Sequence, residues 1–213
     1  IQSYSALACI AIQSNQNDQH GGQSIVDFDY GLAPGVTKTY KKFYSTNLYK
    51  SLEILAPSNE PDTTEDKSNG IQGGLTLFDL KEIASEIEKK TGHYPQITTD
   101  KDYLNEEKNI LLSKGFSEEV ISKAQNFAVK EAYRETEKAT YQAMEALIHN
   151  LNTMHSRAGA QTPFSSINYG TDTSPEGRMV MRNILKATEA GLGMGETPIF
   201  PIQIFRVKEG VNY

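Results

Sequence analysis

The chain lacks residues that several common classes of protein depend on. Its 213 residues include no tryptophan and one cysteine, which excludes an internal disulfide framework and a cysteine-based zinc site. The longest apolar run, residues 6–12, is far shorter than the ~18 residues of a membrane span. No basic segment precedes it, as one would in a signal peptide. We therefore expect no membrane partner and a reducing, cytoplasmic compartment.

Basic residues are scarce relative to acidic ones. The chain has 21 Lys and Arg residues against 27 Asp and Glu residues, which gives a net charge of −6 and a pI of about 5.3. A broad basic surface for binding nucleic acid is therefore not expected. Hydrophobic residues make up 38% and charged residues 23%, which is typical of a globular protein.

Helical periodicity is present through most of the chain. Apolar residues three and four apart predict five helices. These cover residues 3–19, about 27–55, 77–90, about 100–115 and 117 to about 154, the last with or without a break near Asn126. Residues 56–73 are polar, acidic and rich in turn formers, and they predict a surface loop.

The pattern changes after Gly159. Residues 161–170 and 197–207 predict two strands, and Ser-Pro-Glu at 174–176 predicts the start of a helix between them. The second strand alternates little, which is typical of a strand buried on both faces of a parallel sheet. The sequence therefore predicts a helix-rich α/β fold with one βαβ unit, over about 161–207, after a long helical region.

The two ends of the chain fall inside periodic elements. Ile1 lies in a predicted helix and Tyr213 just after a predicted strand, and two strands cannot cover their own edges. We therefore expect a fragment of a longer protein that supplies the other strands. By pattern it is one fragmentary domain made of a helical pair (1–55), a surface loop (56–73), a helical region (74–157) and a strand-helix-strand segment (158–213).

Three local features have both a functional and a structural interpretation. Residues 170–178 follow a strand and open a helix, so their backbone N–H groups could hold an anion or form a plain capped helix start. Lys38, Lys41 and Lys42 form either a basic cluster with a function or a solvated face. The amides of residues 13–19 could read a base edge, bridge two subunits or form a polar surface.

Neither a metal site nor a dinucleotide fingerprint is predicted. His149 and His155 are six residues apart, whereas metal-binding histidines on a helix are three or four apart. The glycines of 191–195 follow a helix and precede a strand, which is the reverse of the Rossmann order. Cys9 lies within a helix and is interpreted as a small buried residue, with a redox role as the alternative.

Three long stretches together resemble one enzyme family. Residues 12–25 contain Asn-Gln-Asn-Asp-Gln-His-Gly-Gly-Gln-Ser, residues 140–174 contain Phe-Ser-Ser-Ile-Asn-Tyr-Gly-Thr-Asp-Thr, and residues 187–213 contain Thr-Pro-Ile-Phe-Pro-Ile-Gln-Ile-Phe. In the same order, they resemble the anaerobic (class III) ribonucleoside-triphosphate reductases, which are glycyl-radical enzymes. The resemblance is weakest across residues 56–125.

This resemblance implies a fold and a reaction. The fold would be part of a ten-stranded α/β barrel, built of two parallel half-sheets, in a homodimer. The reaction would reduce the ribose 2′-carbon of a ribonucleoside triphosphate through a glycyl and a thiyl radical, usually with formate as the reductant. A radical S-adenosylmethionine activase would make the glycyl radical. The structural zinc of the family would lie outside this chain.

The resemblance also implies that the radical-bearing residues lie outside these 213 residues, since Cys9 matches a helix position that is not catalytic. We expect no catalytic residue, no bound cofactor and no metal in this fragment. We also expect no reductase activity from it alone.

Effector binding is what the resemblance implies for this chain itself. The helices on either side of the turn at 20–22 match the dimer interface, where a dNTP or ATP effector selects the substrate. Lys42 falls at the position of a lysine that contacts the effector phosphates, and Lys38, one turn earlier, shares its face. Gln13 and Gln16 are candidates to contact the base or the partner subunit.

The stretch from His155 to Asn168 leads into the barrel interior in this family. Four residues in it are candidates to face substrate, although alternation does not tell which side of the strand points inward. They are His155, Gln161, Ser165 and Asn168. Two other functions stay open: a non-catalytic module for nucleotide binding or dimerisation, and a structural fragment that self-associates through exposed strands.

Overall fold

The computed structural model describes residues 1–19, 21–57, 71–154 and 161–213. Over these residues the chain forms six α-helices and three short strands. In chain order they are α1 (Gln2–Asp18), β1 (Gln23–Ile25), α2 (Phe28–Leu55), α3 (Leu77–Thr91), α4 (Lys101–Ser113), α5 (Glu118–Thr153), β2 (Ser165–Tyr169), α6 (Pro175–Ala190) and β3 (Ile202–Phe205). The predicted helix-rich α/β class is confirmed. Within the described ranges, no helix combines the length and the apolar character that crossing a membrane requires.

The chain divides into two compact units. The first contains Ile1–Lys38 and Glu137–Tyr213, and the second contains Thr39–Thr136. The first unit holds the three strands, and the second unit is helical. Most of the predicted surface loop, residues 58–70, lies outside the described residues, as do residues 155–160.

The sheet of the first unit is parallel, with the strand order β1-β2-β3. Strands β2 and β3 with α6 between them confirm the predicted βαβ unit. Strand β1 corrects in part the expectation that the other strands lie outside this chain, because it adds a third strand on the other side of β2, with Ile25 opposite Ile167. Three residues of mixed polarity between a glycine pair and a turn are too few to give a period-two signal.

The sequence predicts that strand β3 is buried on both faces, and this prediction is wrong for the described residues. Ile202 is 57% exposed, Ile204 43% and Phe205 54% over the described residues. Ile202 and Ile204 pair with Ser166 and Asn168, so they lie on the sheet face away from α6, and β3 is also an edge strand of the described sheet.

The two faces of the sheet have different surroundings. On one face, the Tyr169 hydroxyl donates to Gln203 Oε1 at 2.7 Å, and the Gln203 amide donates to Thr188 Oγ1 of α6 at 2.5 Å. Because successive side chains of a strand point to opposite faces, Asn168 lies on the face away from α6. Helix α6 begins as predicted, with Ser174 as its N-cap and proline in its first turn.

The second unit is built on a core between four helices. Its buried side chains lie on one stripe of each helix, at spacings of three and four residues. The largest fully buried ones are Tyr40, Tyr44, Leu48, Leu52, Ile71, Leu80, Tyr103, Leu111 and Ile121. Thr76 caps α3 through a capping box, and Gly92 ends it in the left-handed region at φ 78°.

Helix α5 runs without interruption through the point where a break was considered. It extends over 36 residues, and Asn126 lies exposed within it. An exposed asparagine keeps its side chain in solvent and does not compete for the helix backbone. Ala124, Ala128 and Ala132 face the core of the second unit with no exposure, and their small size permits close helix packing.

Candidate functional site

A groove of about 330 Å³ lies between α2 and α3 in the second unit. Helix α2 contributes two adjacent lysines and a serine, and α3 contributes a third lysine, a serine and a glutamate. The lining residues are Lys41, Lys42, Ser45, Lys81, Ala84, Ser85, Glu88 and Pro95. The groove therefore brings Lys42, which is expected to bind phosphate, together with Lys81, Ser85 and Glu88 of α3, which no sequence pattern connects to it.

Lys41 is already paired within this groove. Its Nζ lies 2.7 Å from Glu88 Oε1 and 4.0 Å from the centroid of the Tyr94 ring. The ion pair neutralises its charge, and the contact with the aromatic face adds a cation–π attraction. Lys41 therefore holds α2 to α3 and is the least available of the three lysines for an external anion.

Lys42 and Lys81 differ from Lys41 in this respect. Both are exposed, and neither belongs to an ion pair among the described residues. Once Glu88 is set against Lys41, the groove has two positive charges in a chain whose net charge is −6. A phosphate group is a ligand that such unpaired ammonium groups attract.

The other predicted effector residues lie in the first unit. The Lys38 Nζ is 5.5 Å from the centroid of the Tyr4 ring of α1, within the range of a cation–π contact. Gln13 is half-buried, and its Nε2 atom is buried without a hydrogen-bond partner among the described residues. Gln16 is 1% exposed and lies on the buried stripe of α1 with Cys9. Of the two amides, Gln13 is the better placed to meet a ligand or a partner subunit.

The loop between β2 and α6 is occupied by a carboxylate of the chain itself. Asp29 is fully buried and accepts the backbone N–H groups of Gly170 at 2.8 Å and Asp172 at 3.0 Å. The Ser174 hydroxyl accepts the N–H of Gly177 at 3.0 Å and so caps α6. These contacts confirm the capped helix start, and they leave no room for an external anion on the same donors.

The residues predicted to face substrate are not brought together on one face. Ser165 is buried on the side of β2 that meets α6, and Asn168 lies on the opposite side with its Oδ1 buried and without a hydrogen-bond partner among the described residues. Gln161 is exposed. His155 lies outside the described residues.

A buried polar network in the second unit is a feature that sequence reasoning missed. Glu107 is 1% exposed and accepts hydrogen bonds from the hydroxyls of Tyr44 at 2.5 Å and Tyr103 at 2.7 Å, and from the Gln125 amide at 2.9 Å. Burial raises the pKa of the Glu107 carboxyl, although these three hydrogen bonds oppose the shift. The sequence does contain one signal of this burial: Glu107 lies four residues from both Tyr103 and Leu111, which places it on the apolar face of α4.

Among the described residues, one group of three potential metal ligands is present: His93, Asp100 and Asp102. The two ring nitrogens of His93 face different carboxylates, with Nδ1 2.9 Å from Asp100 and Nε2 3.9 Å from Asp102. Asp100 is also the N-cap of α4. Burial opposes ionisation of Asp100, but hydrogen bonds from Tyr103 N–H and His93 outweigh it and lower its pKa. The group is therefore an imidazole that lies between two carboxylates, one of which also caps α4.

Comparison with known proteins assigns the chain to a family. The model of the family described as anaerobic ribonucleoside-triphosphate reductase matches residues 1–213. The chain belongs to the anaerobic ribonucleoside-triphosphate reductase family.

Three curated relatives carry the name of this family. The protein of Haemophilus influenzae is 31% identical over 144 residues, which are 67% of this chain and 17% of that protein. The protein of Enterobacteria phage T4 is 45% identical over 86 residues, or 40% of this chain and 14% of that protein. The protein of Salmonella typhimurium is 39% identical over 79 residues, which are 37% of this chain and 11% of that protein. The matched part is thus a small share of each anaerobic ribonucleoside-triphosphate reductase.

Cys9 is poorly suited to act as a nucleophile or a metal ligand, both of which require the thiolate. It is 4% exposed on α1, and burial raises the pKa of its thiol. The interpretation of Cys9 as a small buried residue is therefore confirmed. A zinc site built on cysteines does not fit these residues either, since the chain has no second cysteine.

Proposed function

We propose that the protein to which these residues belong reduces ribonucleoside triphosphates to deoxyribonucleotides by glycyl and thiyl radical chemistry. The observation that carries this proposal is the family match over the whole chain. Formate would supply the electrons, and a radical S-adenosylmethionine activase would generate the glycyl radical. The role of these 213 residues is to bind the dNTP or ATP effector that selects the substrate.

The groove between α2 and α3 supports an effector site at Lys42. The role of Lys42 was expected from the resemblance alone. The structure adds that Lys42 lines a groove of about 330 Å³, where its positive charge has no ion-pair partner among the described residues. Ligand pockets for small molecules have volumes of roughly 300–1,000 Å³. A nucleotide that places its phosphates against Lys42 would gain charge-assisted hydrogen bonds.

Helix α1 supports a homodimer. Leu7 is 64% exposed and Ile10 is 57% exposed, and their spacing of three residues puts them on one face of the helix. Exposed apolar side chains at helical spacing are typical of a surface that another chain covers. Gln13 follows at the same spacing and is half-buried, so it lies at the edge of the surface that the partner subunit would cover.

Chemistry on the ribose belongs to residues outside this chain, because Cys9, its one cysteine, is packed on the buried stripe of α1 with Ser5 and Ile12. Asn168 is the candidate for a substrate contact, since its carbonyl oxygen lies unpaired on the sheet face away from α6. On this account the 213 residues alone do not turn over a ribonucleotide.

The proposal is tested by introducing Lys42→Ala into the protein that contains this chain and activating it under anaerobic conditions. We expect turnover of at least one ribonucleoside triphosphate to persist, while the dependence of substrate choice on added dNTP is lost. Unchanged effector dependence would contradict the site. Conversion of a ribonucleotide by the 213 residues alone would contradict the expected inactivity.

A further inference from the structure

We propose that His93, Asp100 and Asp102 hold a divalent transition-metal ion, zinc in preference to others, at the junction between α3 and α4. One ligand atom from each residue lies within 4.8 Å of the other two. Ligand atoms lie about 2.0–2.2 Å from a zinc ion, and therefore about 3–4 Å from one another. A small movement of one side chain is thus enough to bring all three onto one ion. This departs from the expectation of no metal in the chain, which rested on cysteines and paired histidines, whereas this set has a single histidine.

The segment between α3 and α4 brings the three residues together. Gly92 ends α3 in the left-handed region at φ 78°, and His93 follows it directly. Asp100 is the N-cap of α4, and Asp102 lies in the first turn of that helix. Both helices pack their apolar stripes into the core of the second unit. The backbone on either side of the cluster is therefore held in place before any ion binds.

Asp100 is the ligand that the fold fixes most firmly. Its Oδ1 accepts the N–H groups of Asp102 and Tyr103, both at 3.1 Å. Its Oδ2 lies 2.9 Å from His93 Nδ1 and accepts from the Gln96 amide at 3.2 Å. An ion bound at Oδ2 leaves the capping contacts of Oδ1 intact. The Gln96 amide then orients the ligating carboxylate, as a hydrogen-bond partner of a metal ligand commonly does.

Asp102 is the ligand that has to move, and it can do so at little cost. Its side chain is 74% exposed, and in the part of the chain that the structure describes its carboxylate makes one ion-pair contact, at 3.9 Å from His93 Nε2. That distance is too long for a hydrogen bond, so little is lost when the carboxylate turns toward an ion. The His93 side chain is 41% exposed, which gives an ion a path from solvent and leaves room for water in its coordination sphere.

The chemistry of the donor set favours a transition metal over calcium or magnesium. Calcium and magnesium prefer oxygen ligands alone, whereas an imidazole nitrogen beside carboxylates suits zinc and similar ions. The positive end of the α4 dipole opposes a cation at this place, but it amounts to only about half a charge. Two carboxylates outweigh it and together balance the double charge of the ion.

The test is a calorimetric titration of the 213-residue chain with zinc chloride, at about pH 7 in a buffer that does not bind metals. We expect one zinc ion per chain, and at least about tenfold weaker binding to His93→Ala and to Asp102→Ala. Asp102→Ala is the cleaner of the two variants, because the Asp102 side chain takes no part in capping α4. Zinc should also raise the urea midpoint of the unaltered chain, and not that of Asp102→Ala.

Two matched controls separate this site from general charge and from other histidines. Glu106→Ala removes an exposed carboxylate one turn further along α4, and His149→Ala removes an exposed imidazole of α5. Neither residue belongs to the cluster, so both variants should bind zinc as the unaltered chain does. An equal loss of affinity in Glu106→Ala and Asp102→Ala would overturn the proposal. Zinc binding that is unchanged in His93→Ala, or no binding by the unaltered chain at zinc concentrations up to about 1 mM, would overturn it as well.

Discussion

The β2–α6 loop of the first unit and the α2–α3 groove of the second unit are two places where a chain of this kind could bind an anion. In the loop, the buried Asp29 carboxylate accepts the N–H groups of Gly170 and Asp172. In the groove, Lys42 and Lys81 are exposed and form no ion pair among the described residues. One site is filled by the protein, and the other is open to solvent.

This difference separates a structural role from a binding role. Backbone N–H groups at the start of a helix attract negative charge whether it comes from a ligand or from the chain. Asp29 supplies that charge permanently, so the loop gains rigidity and loses its capacity for an external anion. Lysine side chains without partners have the opposite character, because they are exposed and adjustable until a ligand arrives.

The largest effect on the stability of the fold is expected when the buried Asp29 carboxylate is removed. Asp29→Ala leaves the N–H groups of Tyr30, Gly170 and Asp172 without their acceptor in a buried position. We expect the free energy of unfolding to fall by roughly 2–4 kcal/mol, measured by urea denaturation. Asp18→Ala, which removes an exposed aspartate at the end of α1, is the control and should be nearly neutral. Similar denaturation midpoints for the two variants would mean that the loop does not depend on Asp29.

A smaller effect is expected at Glu107, whose three donors are side chains and not backbone groups. Burial raises its folded-state pKa above the ordinary value of a glutamate, so the stability that this group contributes is present below the ordinary value and is lost as the pH rises through the folded pKa. Glu107→Gln has no such titration. We therefore expect Glu107→Gln to be less stable than the unaltered chain at acid pH, by about 1 kcal/mol, and to close this gap as the pH rises.

The measurement is the free energy of unfolding of both chains at several pH values between about 4 and 8. Glu107→Leu, which removes the acceptor altogether, should be less stable than either at every pH. A gap between the unaltered chain and Glu107→Gln that stays constant or widens with pH would contradict the raised pKa.

The smallest effect concerns salt. Nucleotide binding at exposed Lys42 should weaken several-fold when the ionic strength rises from about 0.05 to 0.5 M, because screening acts on exposed charges. Contacts of the buried Asp29 are screened far less, so urea stability should respond little over the same range. Equal salt sensitivity of binding and stability would remove the distinction between the open groove and the filled loop.

Much of the fold could be predicted from the sequence because its signals are local. Thr76, Asp100 and Ser174 each precede an amphipathic stretch and cap a helix at the predicted place. Strand β1 could not be predicted, since its three residues are held by backbone pairing to β2, which is distant in the chain. Exposure of Ile202 and Ile204 depends on which face of the described sheet α6 covers, and that is a property of the assembled strands.

The candidate site was predicted only in part, for a similar reason. Resemblance pointed to Lys42, but Lys81 follows it on another helix, and no spacing rule connects them before the chain folds. Asp29 has the pattern of an ordinary acidic residue in the first turn of a helix, and its contact with Gly170 joins residues 141 positions apart. Long-range contacts of this kind leave no periodic signal.

The most direct test of the account is the affinity of this chain for deoxyribonucleoside triphosphates, measured by calorimetric titration at low salt for the unaltered protein, Lys42→Ala and Lys90→Ala. Lys90 has a highly exposed side chain on α3 and does not line the groove, so it serves as the control. We expect saturable binding to the unaltered chain and to Lys90→Ala, and at least about tenfold weaker binding to Lys42→Ala with unchanged urea stability. Equal affinities of the three proteins, or no binding by any of them, would contradict an effector site in the α2–α3 groove.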